Sequence, residues 1–134
     1  MTSRTEPATT FRLDLPWQRR PLHANQSLHY FARAKIVAQV RSDVFKLAIA
    51  AKLPKGAAFA DVTLTWRPPD RRVTDTQNLA PLLKACVDGL VLGRGGKRGY
   101  GVVADDSPGF LSSRCALAAP GRPGALWLDV EVTL

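Results

Sequence analysis

Two acidic stretches and one lysine are the residues of this chain whose types and spacing could do chemistry. Asp75-Thr76-Gln77-Asn78 follows the run Pro69-Asp70-Arg71-Arg72, Asp105-Asp106-Ser107 lies further on, and Lys84 sits in the apolar segment between them. Hydrolysing a phosphodiester at neutral pH needs charge stabilisation on the phosphoryl oxygens and a deprotonated water. A divalent metal held by carboxylates supplies both. Asp75 and Asp106 are the candidate ligands, with Asp105 and Gln77 beside them, and Lys84 is the candidate point charge against a phosphate oxygen or a leaving group. Asp88 follows Lys84 at the i, i+4 spacing that would orient the lysine. Asp is also a common turn and helix-start residue, so Asp70, Asp75, Asp105 and Asp106 admit that plainer reading too.

The elements that must position these residues follow from hydropathic period. Residues 1 to 9 are polar and expected to fray. Phe11, Leu13, Leu15 and Trp17 alternate with polar residues, which predicts a half-buried strand that Pro16 ends or confines to an edge. From Leu28 to Lys52 there is no Gly or Pro. Ile36, Val40, Val44, Leu47 and Ala51 recur there at helical spacing, which predicts a long amphipathic helix. Val62, Leu64 and Trp66 predict a second strand closed by Pro68-Pro69. The segment 70–78 is polar and extended, and Asn78 is the expected N-cap of a second helix from Leu79 to Val91, with Pro81 in its first turn. Short strands are expected at Tyr100–Val103 and Phe110–Leu117, and a final, cleanly alternating one at 126–134. The pattern predicts a single α+β domain over residues 1 to 134, a mixed β-sheet with two helices packed on it.

At 134 residues the chain has room for one core, and 46% hydrophobic residues is ordinary for a globular protein. A formal charge of +8 favours a polyanionic partner, either nucleic acid or an anionic membrane surface. The long helix mixes Arg and Lys with a narrow Val and Ile stripe and lacks Trp, a design for packing on a sheet and not for lying on lipid. No apolar run approaches the roughly 18 residues that span a bilayer, so the protein is expected to be soluble and cytoplasmic, with no membrane partner. The positive charge is concentrated towards the N-terminus, in Arg19 and Arg20 of a loop and in Arg33 and Lys35 of the helix. Gly93 to Gly99 fails both the P-loop and the dinucleotide templates, because Arg98 stands where each needs another residue, so no nucleotide cofactor is expected. The loop still offers Lys97 and Arg98 to a DNA backbone. Cys86 and Cys115 are predicted to be small buried or half-buried thiols, and their spacing with His23 and His29 is not that of a zinc site.

Taken in order, these pieces resemble the Holliday-junction resolvases of the RusA type, small endonucleases common on phages and prophages. The matching motifs are Leu15-Pro16-Trp17 with Asn25, Pro69-Asp70-Arg71-Arg72, Asp75-Thr76-Gln77-Asn78, Lys84 with Asp88-Gly89-Leu90, and Asp105-Asp106-Ser107. With Asn25, Arg71 and Arg72 added to the candidate DNA contacts, the resemblance implies a homodimer, in the bacterial host cytoplasm or phage-encoded, that binds four-way DNA junctions. It also implies paired symmetric nicks made with Mg²⁺, or Mn²⁺ in its place. It assigns Asp75, Gln77 and Asp106 to the acidic site and Lys84 to catalysis. Gln77 departs from the family, which has Asp at that position. An amide oxygen can ligate a hard cation, yet it removes a negative charge and cannot act as a base. Two readings therefore stand: a junction-resolving endonuclease, and a branched-DNA-binding protein whose cleavage is weakened or lost.

Overall fold

The alternating stretches and the two striped segments become six elements in the computed structural model. They are β1 (Thr9–Asp14), α1 (Tyr30–Ala51), β2 (Phe59–Arg67), α2 (Ala80–Leu90), β3 (Leu111–Leu117) and β4 (Ala125–Thr133). The structure describes residues 8–17, 20–22, 29–71, 79–93 and 99–134.

The four strands form one sheet in the order β1-β4-β2-β3. β4 runs antiparallel to both β1 and β2, while β2 and β3 are parallel. A parallel pair requires a crossover, and the segment containing α2 provides it. The fold is thus the expected α+β arrangement, a mixed sheet with two helices on it.

Register explains which face they cover. Val62 lies opposite Val130, Leu64 opposite Leu128 and Trp66 opposite Leu126, so one face of the sheet is a continuous apolar surface. Val40, Val44 and Ala48 of α1 and Leu82, Ala85 and Cys86 of α2 join these residues in one buried cluster. Burying a Leu or Val side chain contributes roughly 1.5–3 kcal/mol, so this face dominates the stability. The opposite face is polar. There Arg12 pairs with Asp129 at 2.9 Å and lies over the Trp127 ring, while Asp61 accepts from Ser112 at 2.7 Å and pairs with Arg114 at 3.2 Å.

α1 is closed at both ends by its own residues. His29 Nδ1 accepts the Phe31 N–H at its start. At its end Lys52 turns left-handed at φ 56, and the Leu53 N–H returns to the Ala48 carbonyl. Gly89 lets the two helices approach closely, since a Cβ there would lie 2.9 Å from the Arg41 carbonyl oxygen.

Four expectations are corrected. β1 begins at Thr9, inside the stretch expected to fray, and ends at Asp14, short of Trp17; it lies at the sheet edge, one of the two outcomes Pro16 allowed. β2 starts three residues earlier than its apolar alternation suggested. Tyr100–Val103 is not a strand. Its backbone is used up by other partners: the N–H groups of Tyr100, Gly101 and Val102 go to the carbonyls of Gly89 and Leu90, and the carbonyls of Gly101 and Val102 accept from Gly56 and Ala57. The segment plugs the end of α2, and only two strands follow that helix. Finally, Leu79 occupies the N-cap position of α2 without a side-chain capping bond, and Asn78 lies outside the described residues.

Candidate functional site

α2 starts with Pro81 in its first turn and buries Leu82, Ala85, Cys86, Val87 and Leu90. A helix that buries that stripe turns Lys84 and Asp88 outward together, one turn apart. The segment beyond α2 then folds back along it. Leu92 N–H donates to the Val103 carbonyl and Gly93 N–H to that of Ala104, and these bonds bring Asp105 and Asp106 level with the helix.

Lys84 joins the two. Its Nζ lies 3.0 Å from Asp106 Oδ2 and 3.1 Å from Asp88 Oδ1, so one ammonium bridges a helix carboxylate and a loop carboxylate. The Asp106 N–H donates to Asp105 Oδ1 at 2.7 Å, which orders the acidic pair. Ala80, Leu83, Val87, Leu111 and Ser113 complete a cleft of about 230 Å³ around Lys84 and Asp106. The Lys84 hydrogen bond, and then its charge, holds the Asp106 carboxyl below the ordinary carboxylate range. Reciprocally, the bonds to Asp106 and Asp88 raise the lysine above its ordinary value. Both groups are therefore charged at neutral pH.

The arrangement presents a cation and two carboxylates at the mouth of a small cleft. Lys84 could meet a phosphate oxygen if Asp106 exchanged the lysine for another cation. Asp105 and Asp106 are hard oxygen donors of the kind Mg²⁺ takes, each with a second carboxylate oxygen beyond the one bonded here. Among the described residues, however, no three of His, Cys, Asp and Glu gather into a group able to hold a metal ion. A complete metal centre would have to draw on further donors, and the two expected ones, Asp75 and Gln77, lie outside the described residues.

Four of the expected DNA contacts, Arg20, Arg33, Lys35 and Arg71, fall among the described residues. Arg19, Asn25, Arg72, Lys97 and Arg98 lie outside the described residues. Arg33 is half-buried and Lys35 exposed on α1, and Arg71 is exposed just after β2. Arg20 rests over the Trp66 ring, 4.2 Å from its centroid, and burial holds its guanidinium below the ordinary arginine value. Its Nη1 is buried without a hydrogen-bond partner among the described residues. Cys86 is buried and Cys115 half-buried, both free thiols, and burial pushes both thiols up, Cys86 the further. Leu111 and Ser113 of the cleft carry no signal in the sequence, because β3 reaches the site only through the tertiary fold.

No protein-family model matches this chain, and no curated protein does. Among the described residues no helix is long and apolar enough to cross a membrane.

Proposed function

We propose that this protein is a metal-dependent endodeoxyribonuclease that resolves four-way DNA junctions, acting as a homodimer with Mg²⁺ or Mn²⁺. The observation that carries the reading is the Lys84 bridge. Two motifs far apart in the chain, Lys84 with Asp88 and Asp105 with Asp106, meet at one cleft with the lysine 3.0 Å from the Asp106 carboxylate. A purely solubilising Asp88–Lys84 pair would not need Asp106. In the proposed chemistry Asp106 and Asp75 hold the metal, with Asp105 and Gln77 beside them. The metal supplies activated water and charge neutralisation, and Lys84 stabilises the phosphate.

The charge of +8 supports a nucleic-acid partner. A second reading, a branched-DNA-binding protein with weakened cleavage, is favoured by Gln77, which stands where the family has Asp. A nicking assay on a synthetic four-way junction separates them. Paired nicks with Mg²⁺ or Mn²⁺, lost in Asp106→Asn while junction binding persists, are expected of the nuclease. Tight, salt-sensitive binding without cleavage under either metal would leave only the second reading.

A further inference from the structure

Two buried hydrogen-bond donors lack an acceptor among the described residues, and they belong to side chains in contact with each other. Trp66 stands near the C-terminal end of β2, opposite Leu126 of β4 and Leu117 of β3, and is only 4% exposed. Its Nε1 has no partner. The Arg20 guanidinium lies over the same ring, 4.2 Å from its centroid, and its Nη1 has no partner either. The fold brings the two together because the chain beyond β1 keeps to β4. There the Leu15 N–H donates to the carbonyl of Leu126, the residue opposite Trp66, and Leu22 is buried just past Arg20.

Leaving a buried donor unpaired is costly, and buried indole N–H groups ordinarily find a partner. Phenylalanine at position 66 would fill much of the same wall without that cost. Arg12, on the other face of the sheet, shows the usual solution. It too lies over an indole, that of Trp127, but Asp129 accepts from it and raises its pKa. Burial instead lowers the Arg20 guanidinium. Both orphaned groups at Trp66 are donors and one is a cation, so the pair lacks an acceptor that carries negative charge. A water between them would accept their hydrogen bonds and leave the cation unmatched. Arg20 as a residue is only half-buried, so the pair borders solvent through the arginine.

We propose that Arg20 and Trp66 together bind a phosphate group of DNA, Nη1 and Nε1 each donating to a phosphate oxygen. This rests on nucleic acid being the partner, as in the reading above. It adds where a backbone phosphate is gripped: at the end of β2, from which the chain runs on into the stretch bearing Asp75. A tetrahedral anion has oxygens for both donors, and the guanidinium fork suits it.

The test is fluorescence anisotropy with the full chain and a labelled DNA duplex, repeated in competition with inorganic phosphate and with acetate. Arg20→Gln is expected to reduce the slope of log K against log salt by about 0.9, one duplex phosphate contact. Trp66→Phe keeps an aromatic ring in the wall and removes the N–H donor. It should weaken binding about tenfold or more, the value of one hydrogen bond to a charged group, with the slope unchanged. In the native protein the Trp66 indole N–H resonance should move on addition of inorganic phosphate or duplex and stay in place in Arg20→Gln, a readout that does not require Trp66→Phe to fold. Duplex affinity and slope unchanged in Arg20→Gln, with junction nicking intact, overturn the donor pair and leave the nuclease standing. Binding that depends on Arg20 and Trp66 in a protein that never nicks a junction supports the pair and removes the nuclease. A slope lowered by Arg20→Gln while the indole resonance never moves overturns the pair and leaves Arg20 a lone contact. A resonance moved by inorganic phosphate and not by duplex overturns DNA as the source of the phosphate. Acetate competing better than phosphate overturns the proposal in favour of a carboxylate ligand.

Discussion

Replacing Lys84 by Met separates a structural ion pair from a functional one. Methionine keeps the aliphatic length of the stem and removes the charge that bridges Asp88 and Asp106. The Lys84 side chain is 64% exposed and its partners Asp88 and Asp106 are 31% and 41% exposed, so both pairs work in high dielectric. Exposed pairs of this kind contribute about 0.2–1 kcal/mol, and the loss on substitution should total about 1 kcal/mol or less. For a chain of this size that is a fall in Tm of about 3–5 °C. The pH dependence has a definite sign. Asp106 lies below its ordinary value of about 3.9, so its contribution is full above that value and is lost as pH falls through the depressed one. Lys84 lies above its ordinary value of about 10.4, so its contribution is full below that value and is lost as pH rises through the raised one. The stability difference between native protein and Lys84→Met should therefore be largest at neutral pH, vanish in strong acid and strong base, and shrink with salt. Junction cleavage should fall far more, by about 10²–10³-fold, the loss expected when one preorganised charge is removed from a transition state. Urea denaturation at several pH values and single-turnover nicking measure both. A loss of several kcal/mol with cleavage unchanged would refute the reasoning, because Lys84 would then be holding the fold and not the phosphate.

Three further outcomes follow from the same structure. Tyr100→Phe removes the buried hydroxyl that donates to the Leu53 carbonyl at 2.6 Å and should cost about 1–3 kcal/mol in urea denaturation. Gly99→Ala would drive a Cβ onto the carbonyl oxygens that close α2, at 2.5 Å from that of Asp88 and 2.8 Å from that of Gly89, and should destabilise by about 3 kcal/mol or more. Gln77→Asp restores a negative charge to the proposed metal site and should speed cleavage at limiting Mg²⁺ by roughly 10- to 100-fold, as changes around a metal commonly do. Unaltered metal dependence in that variant would exclude Gln77 as a ligand.

Period made most of the architecture readable in advance. β4 alternates with little interruption, and its inward residues Leu126, Leu128, Val130 and Val132 are all buried. α1 needed only the absence of Gly and Pro and one apolar stripe. Tyr100–Val103 misled because local apolarity does not reveal where backbone groups find partners, and these found the end of α2 and the turn at Gly56. Nor did any local signal give the sheet order, in which the last strand lies between the first two, since that depends on which apolar faces can be covered together. At the site, the i, i+4 spacing of Lys84 and Asp88 was legible. The contact between Lys84 and Asp106 was not, because it is made by the return of the chain after Gly99.

The central claim is that the Lys84–Asp106 cleft is a metal-dependent nuclease centre, and anomalous diffraction from crystals soaked in Mn²⁺ tests it most directly. An ion within about 2.0–2.6 Å of an Asp106 carboxylate oxygen, with Lys84 Nζ released towards the cleft, is the predicted result. Asp106 still bonded to Lys84, with no ion beside it at saturating Mn²⁺, would contradict it.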